Sequence, residues 1–113
     1  MSFLDITQAD HYIWQRRAAA ALVRLLDEHR DLPVITWTVG PAGSVLVGRV
    51  NGLQPAAMAR AVFDAWTAAL ALSQRRERTD LAPTHLSAQA RRDSVTVVLL
   101  ADLILDDEDG DRL

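Results

Sequence analysis

Hydrophobic side chains recur at helical spacing in two segments of this chain. In the first, one face of a helical wheel is apolar and consists of Trp14, Ala18, Leu22, Leu25 and Leu26. The other face is charged and includes Arg16, Arg17, Arg24, Asp27 and Arg30. Thr7 and Asp10 have the spacing of a capping box that begins a helix, and the residue before Pro33 is driven out of helical geometry. The pattern therefore predicts an amphipathic helix between these two signals.

The second helical segment begins at Pro55, which suits a first helical turn. Its apolar face consists of Met58, Val62, Trp66, Ala69 and Ser73, flanked by Ala59, Phe63 and Leu70. We expect this helix to run to about Gln74. The arginines that follow would then lie at the negative end of its dipole.

Three other segments have the composition of strands. Residues 34–39 and 45–50 are rich in β-branched side chains, and the glycines between them predict a hairpin. Residues 95–105 are apolar on both alternating faces, which is typical of a strand inside a sheet. Residues 84–90 alternate polar and apolar positions and fit a strand, although a short helical turn fits nearly as well, and residues 91–93 would form the reversal after them.

Together these elements predict a single α+β domain over residues 1–105. The predicted order is α-β-β-α-(β)-β, with two helices packed on one face of a mainly antiparallel sheet. Residues 106–113 are mostly acidic, and we expect a disordered tail there.

Composition limits the classes of function. The chain has 113 residues, no cysteine and a net charge of −3, and all 12 of its Lys or Arg positions are arginine. This composition excludes thiol chemistry and argues against a surface that is basic throughout. The absence of lysine and the abundance of alanine are also typical of proteins encoded by GC-rich bacterial genomes. The chain lacks a membrane-spanning apolar run and a signal-peptide pattern, so we expect a cytoplasmic protein.

Candidate catalytic and metal-binding residues are sparse. His11 and His29 would lie about 27 Å apart along one helix, and no metal-ligand spacing includes them. Ser44 and Ser87 are not in a nucleophile turn. Asp102 interrupts an apolar strand, where a carboxylate serves either as a general base or, as we favour here, as a charge that discourages aggregation. We therefore predict no catalytic residue, metal or cofactor, and an enzyme is not favoured.

Two groups of residues are candidates for binding. The first is an arginine patch that would suit phosphate or nucleic acid if the second helix and the later turn end on one side of the fold: Arg75, Arg76, Arg78, Arg91 and Arg92. The second is the sheet face away from the helices, an apolar surface larger than monomers usually expose. Its members are predicted to be Val34, Thr36, Val98, Leu100 and Ile104, together with Thr38, Val45 and Val47.

The favoured hypothesis is a small non-enzymatic interaction or regulatory module, a homodimer, that presents a partner either with this sheet face or with the alanine-lined side of the second helix. That side consists of Ala57, Ala61, Ala65, Ala68 and Leu72. The alternative is a regulator that binds nucleic acid or phosphate through the arginines. A third hypothesis, a small enzyme with Asp102 or a histidine at a dimer interface, would need groups from two protomers to converge.

Overall fold

Two helices and five strands make up the part of the chain that the computed structural model describes, residues 7–40, 43–79 and 83–104. Their order is α1 (Gln8–Glu28), β1 (Thr36–Val39), β2 (Val45–Arg49), α2 (Ala56–Ala69), β3 (Arg76–Thr79), β4 (Pro83–Arg92) and β5 (Val95–Ile104). This order confirms the predicted α+β class and adds one strand, β3. The predicted acidic tail, residues 106–113, lies outside the described residues.

The five strands form one sheet in the order β1-β2-β5-β4-β3. Strand β5 is central, a position that the sequence alone left open. It pairs in parallel with β2 and antiparallel with β4, and the other two pairings are also antiparallel. The sheet is therefore mainly antiparallel, with a single parallel seam beside its central strand.

Helix α1 begins at the predicted capping box. The Thr7 hydroxyl accepts a hydrogen bond from the Asp10 amide, and the Asp10 carboxylate accepts one from the Thr7 amide, both at 3.1 Å. These bonds satisfy two amides that the first turn leaves without helical partners. Ala18 and Leu25 are buried against the sheet, so α1 packs with the apolar face that the sequence indicated.

Helix α2 ends at Ala69, five residues before the predicted end at Gln74. Ala71 adopts a left-handed conformation with φ of 54°. The Ala71 amide donates to the Ala68 carbonyl and the Leu72 amide to the Thr67 carbonyl, which is the Schellman pattern of a helix C-terminus. Leu72 is thereby turned into the core, and the chain leaves the helix to form β3.

The core lies between the two helices and one face of the sheet. The buried side of α2 consists of Ala59, Val62, Phe63 and Trp66, whereas Met58, predicted to lie on this apolar face, is 55% exposed. The sheet contributes the alternate residues of its central strand, Val95, Val97, Leu99, Ala101 and Leu103.

A tryptophan pair joins α2 to the β1–β2 hairpin. The Trp66 indole N–H donates to the Pro33 carbonyl at 2.7 Å, and the Trp37 ring packs edge-on against Trp66 with centroids 5.5 Å apart. Trp37 in turn lies over Gly48, where a Cβ atom would stand 2.9 Å from two of its ring carbons. Gly48 is therefore required by close packing.

Strand β4 and the turn after it settle the open question about residues 84–90. These residues are extended and pair with β3 and β5, so the helical alternative is wrong. The predicted reversal at residues 91–93 is displaced, because Arg91 and Arg92 still belong to β4. Asp93 and Ser94 form the turn with φ values of 48° and 70°, the left-handed pair that a two-residue hairpin requires.

Candidate functional site

The sheet has one face that neither helix covers, and we call it the outer sheet face. Both helices pack against the opposite face, which carries the buried alternate residues of β5. The strand register assigns the outer sheet face these residues: Thr36 and Thr38 of β1; Val45, Val47 and Arg49 of β2; Thr96, Val98, Leu100, Asp102 and Ile104 of β5; Pro83, His85, Ser87, Gln89 and Arg91 of β4; Arg76 and Arg78 of β3.

The centre of the outer sheet face is aliphatic. Val47 and Val98 are paired across β2 and β5, and Leu100 follows on the central strand. All three are partly exposed, and Ile104, farther along β5, is 63% exposed. Of the predicted surface, Thr36, Val98, Leu100 and Ile104 are on this face, whereas Val34 precedes β1 and is 95% exposed.

A histidine and a carboxylate are hydrogen-bonded at one end of this face. His85 and Asp102 are register partners, and His85 Nδ1 lies 2.7 Å from Asp102 Oδ1. Asp102 is exposed on this face, so it lacks the burial on which the general-base alternative depended. Arg78 is the register partner of His85 on its other side, which places a cation, an imidazole and a carboxylate in one row.

The five arginines of the predicted patch are divided between the two faces of the sheet. Arg75 lies on the helix side, where it donates to Asp64 at 2.9 Å and covers the Phe63 ring. The alternation of β4 also directs Arg92 to that side.

The other three arginines of the patch are on the outer sheet face. Arg76 and Arg78 lie on β3 rather than at a helix end. Arg91 lies four residues along β4 from Ser87, the register partner of Arg76, a separation of about 13 Å. The structure thus brings Arg76 and Arg78 together and leaves Arg91 apart from them.

Arg91 instead lines a cleft together with residues of helix α1. An open cleft of about 360 Å³ lies where the β4–β5 turn, the start of β2 and the first half of α1 come together, and we call it the turn-end cleft. It is lined by Trp14, Arg17, Gly43, Ser44, Val45, Arg91, Ser94 and Thr96. Sequence reasoning placed Arg17 on the charged face of α1 but gave no signal that this face would meet Arg91.

Comparison with protein-family models, curated proteins and solved structures finds no match for this chain. Within residues 7–40, 43–79 and 83–104, no group of three or more His, Asp or Glu side chains could hold a metal ion. Neither helix of the described chain is both long and apolar enough to cross a bilayer.

Proposed function

We propose that this protein is a small non-enzymatic interaction module that forms a homodimer through the outer sheet face. The observation that carries the proposal is the aliphatic centre of that face, Val47, Val98 and Leu100, which neither helix covers. Sheets that pack face to face bury such residues between them at a spacing of about 10 Å. An uncovered aliphatic sheet centre is therefore best explained by a second layer supplied from outside the protomer.

The distribution of charge favours a second copy of this chain as that layer. Arg91 pairs in register with Thr96, and His85 pairs with Asp102, so these rows are equally far from the midpoint between Val98 and Leu100. Consider a two-fold axis that lies between the two facing sheets, runs perpendicular to the strands and passes over this midpoint. It places Val98 of one protomer over Leu100 of its partner. The same axis places Arg91 over the row of His85 and Asp102. Because the two rows are about 20 Å apart within one protomer, Arg91 can meet that carboxylate only in a dimer.

The size of the face sets the expected affinity. Five strands span about 24 Å, and the rows from Thr96 to Asp102 span about 20 Å, so each copy contributes roughly 500 Å². The total of about 1,000 Å² is at the low end for specific interfaces, where association is weak or transient. We expect a dissociation constant in the micromolar range, at which protomers exchange readily.

The direct test is the solution mass by light scattering over a dilution series from about 1 to 500 μM. Val98→Asp and Leu100→Asp would each bury an unpaired carboxylate in the dimer, and we expect each to weaken it by about 100-fold or more. In the monomer these side chains face solvent, so the variants should keep the parent circular dichroism spectrum. Val23→Asp is the matched control, because Val23 is an exposed valine on α1, 59% accessible and away from this face.

A charge exchange tests the two-fold arrangement separately. Arg91→Asp or Asp102→Arg alone should weaken the dimer by about fivefold, since each removes one attraction between exposed charges and creates a repulsion. The double variant should recover most of this loss because the charges are reversed together. A parent chain that remains monomeric throughout the series would contradict the dimer, and failure of the double variant to recover would contradict the two-fold arrangement.

A further inference from the structure

We propose that the turn-end cleft binds a small phosphomonoester that carries a flat ring. Two arginines line the cleft from different elements, Arg17 from α1 and Arg91 from β4. None of the described residues that line it is acidic, although the chain as a whole has a net charge of −3. The local charge is thus opposite to the overall charge, as a site for an anion requires.

The two arginines are not engaged by carboxylates of the described chain. Three other arginines do form ion pairs: Arg60 binds Glu77 at 3.0 Å, Arg75 binds Asp64 at 2.9 Å and Arg30 lies 3.8 Å from Asp27. Among the described residues, no carboxylate lies within ion-pair distance of Arg17 or Arg91. Their planar guanidinium groups are therefore free to donate paired hydrogen bonds to phosphate oxygens.

Hydroxyl groups supply further donors beside the arginines. Ser44, Ser94 and Thr96 line the cleft, and the Thr96 amide binds the Ser44 carbonyl at 2.9 Å, which fixes these two residues side by side. The Ser44 hydroxyl is buried and has no hydrogen-bond partner in the described part of the chain. A buried hydroxyl without a partner costs free energy, and an oxyanion held close by would relieve that cost after a rotation of the serine side chain.

Trp14 sets the preference for a flat ring. It lies one helical turn before Arg17 and lines the same cleft, so a ligand held by the arginines through its phosphate would have an indole within reach. Aromatic surfaces bind flat rings by stacking without regard to their hydrogen-bonding pattern. The volume of about 360 Å³ is at the lower end of the range for small-molecule pockets, which suits a compact ligand.

Calorimetric titration with inorganic phosphate and with phenyl phosphate at low salt tests the proposal. We expect both probes to bind saturably to the parent chain, and phenyl phosphate to bind about fivefold or more tightly because of the ring. Arg17→Gln and Arg91→Gln should each weaken both probes by about tenfold or more, since each removes a charged donor. Arg30→Gln, just beyond the end of the same helix and outside the cleft, is the matched control and should leave both affinities within about twofold.

Trp14→Leu separates stacking from charge. This variant should bind inorganic phosphate within about twofold of the parent and lose its preference for phenyl phosphate. The site is overturned if neither probe binds at about 10 mM, or if Arg30→Gln weakens binding as much as Arg17→Gln does. Tight, steeply salt-dependent binding of a single-stranded oligonucleotide without saturable binding of phenyl phosphate would overturn it in favour of nucleic acid.

The proposed ligand site and the proposed dimer can fail independently. Arg17 and Trp14 belong to α1 and are not part of the outer sheet face, so Arg17→Gln should leave the solution mass unchanged. Conversely, Leu100→Asp should weaken the dimer and keep saturable phosphate binding at an affinity no lower than the parent's, because Leu100 does not line the cleft and the monomer leaves Arg91 available to the phosphate.

Discussion

Replacing Gly48 by alanine tests how tightly the β1–β2 hairpin packs beneath its tryptophan. An added Cβ would lie 2.9 Å from two ring carbons of Trp37 and 3.0 Å from the terminal methyl of Ile35. Ile35 is buried, and Trp37 is held against Trp66, so neither side chain can withdraw without disturbing the core. Overpacking of this kind costs about 1–3 kcal/mol, whereas alanine in place of glycine within a strand regains about 0.5–1 kcal/mol. We therefore expect Gly48→Ala to lower the free energy of unfolding by about 0.5–2 kcal/mol.

Urea denaturation followed by tryptophan fluorescence measures this loss. Gly52→Ala is the matched control, because a Cβ there would lie at an ordinary 3.5 Å from the Asp102 carbonyl, and its effect should stay within about 0.5 kcal/mol. In a Trp37→Phe background the two crowded ring carbons are absent, so the cost of Gly48→Ala should fall by about half. A Gly48→Ala variant as stable as the parent, or a cost unchanged by Trp37→Phe, would refute the packing argument.

Three further predictions concern other elements. Ala71→Gly should raise the free energy of unfolding by about 0.5–1 kcal/mol in the same urea assay, since alanine is strained at φ of 54°. Ala61→Gly, at an exposed position inside helix α2, should lower it. The paired hydrogen bonds from Arg60 lower the pKa of Glu77. This ion pair therefore stabilises the fold fully above the ordinary glutamate pKa, and the stabilisation is lost as the pH falls through the lowered pKa. The urea midpoints of Glu77→Gln and of the parent should converge in acid. Because Arg91 belongs to both proposed surfaces, saturating phenyl phosphate should weaken the dimer in light scattering, and the Arg17→Gln variant should not show this effect at the same concentration.

The sequence contained the information for the elements that have strong local signals. The capping box at Thr7 and Asp10 marked the start of α1 to the residue, because side-chain hydrogen bonds of that kind occur at helix starts. The two apolar faces of residues 95–105 indicated a strand, and the described part of it is central in the sheet, with one face buried under the helices and the other uncovered.

The end of α2 and the existence of β3 lacked such signals. Helical periodicity of apolar residues continues through Leu72, and the left-handed position at the helix end is occupied by Ala71 rather than by glycine or asparagine. All four residues of β3 are exposed, so no alternation of apolar and polar positions marked a strand. Residues 76–79 form a strand because they pair with β4, and this pairing leaves no hydrophobic pattern in their own sequence.

The residues of the candidate sites are also brought together by contacts between different elements. A two-residue turn at Asp93 and Ser94 makes His85 the partner of Asp102, whereas the predicted reversal at residues 91–93 would have set His85 opposite Leu99 and so concealed the contact. The turn-end cleft brings together Arg17 and Arg91, which are 74 positions apart in the chain, and helical periodicity gives no distance between different elements. Side-chain chemistry was thus visible in the sequence, while the combinations of residues were set by the fold.

The position of β5 at the centre of the sheet also bears on how the chain folds during synthesis. The β1–β2 and β3–β4 hairpins can each pair locally, but they join one another only through β5, the last of the described strands to leave the ribosome. A nascent chain that ends before residue 95 therefore has two separate hairpins with unpaired edges and exposed helix-facing surfaces. Completing the sheet requires β5 to enter between them and to close a connection of about 50 residues to β2, a slow step governed by loop entropy. Vectorial synthesis thus delays cooperative folding until the final strand emerges, and the incomplete chain is the species most exposed to aggregation.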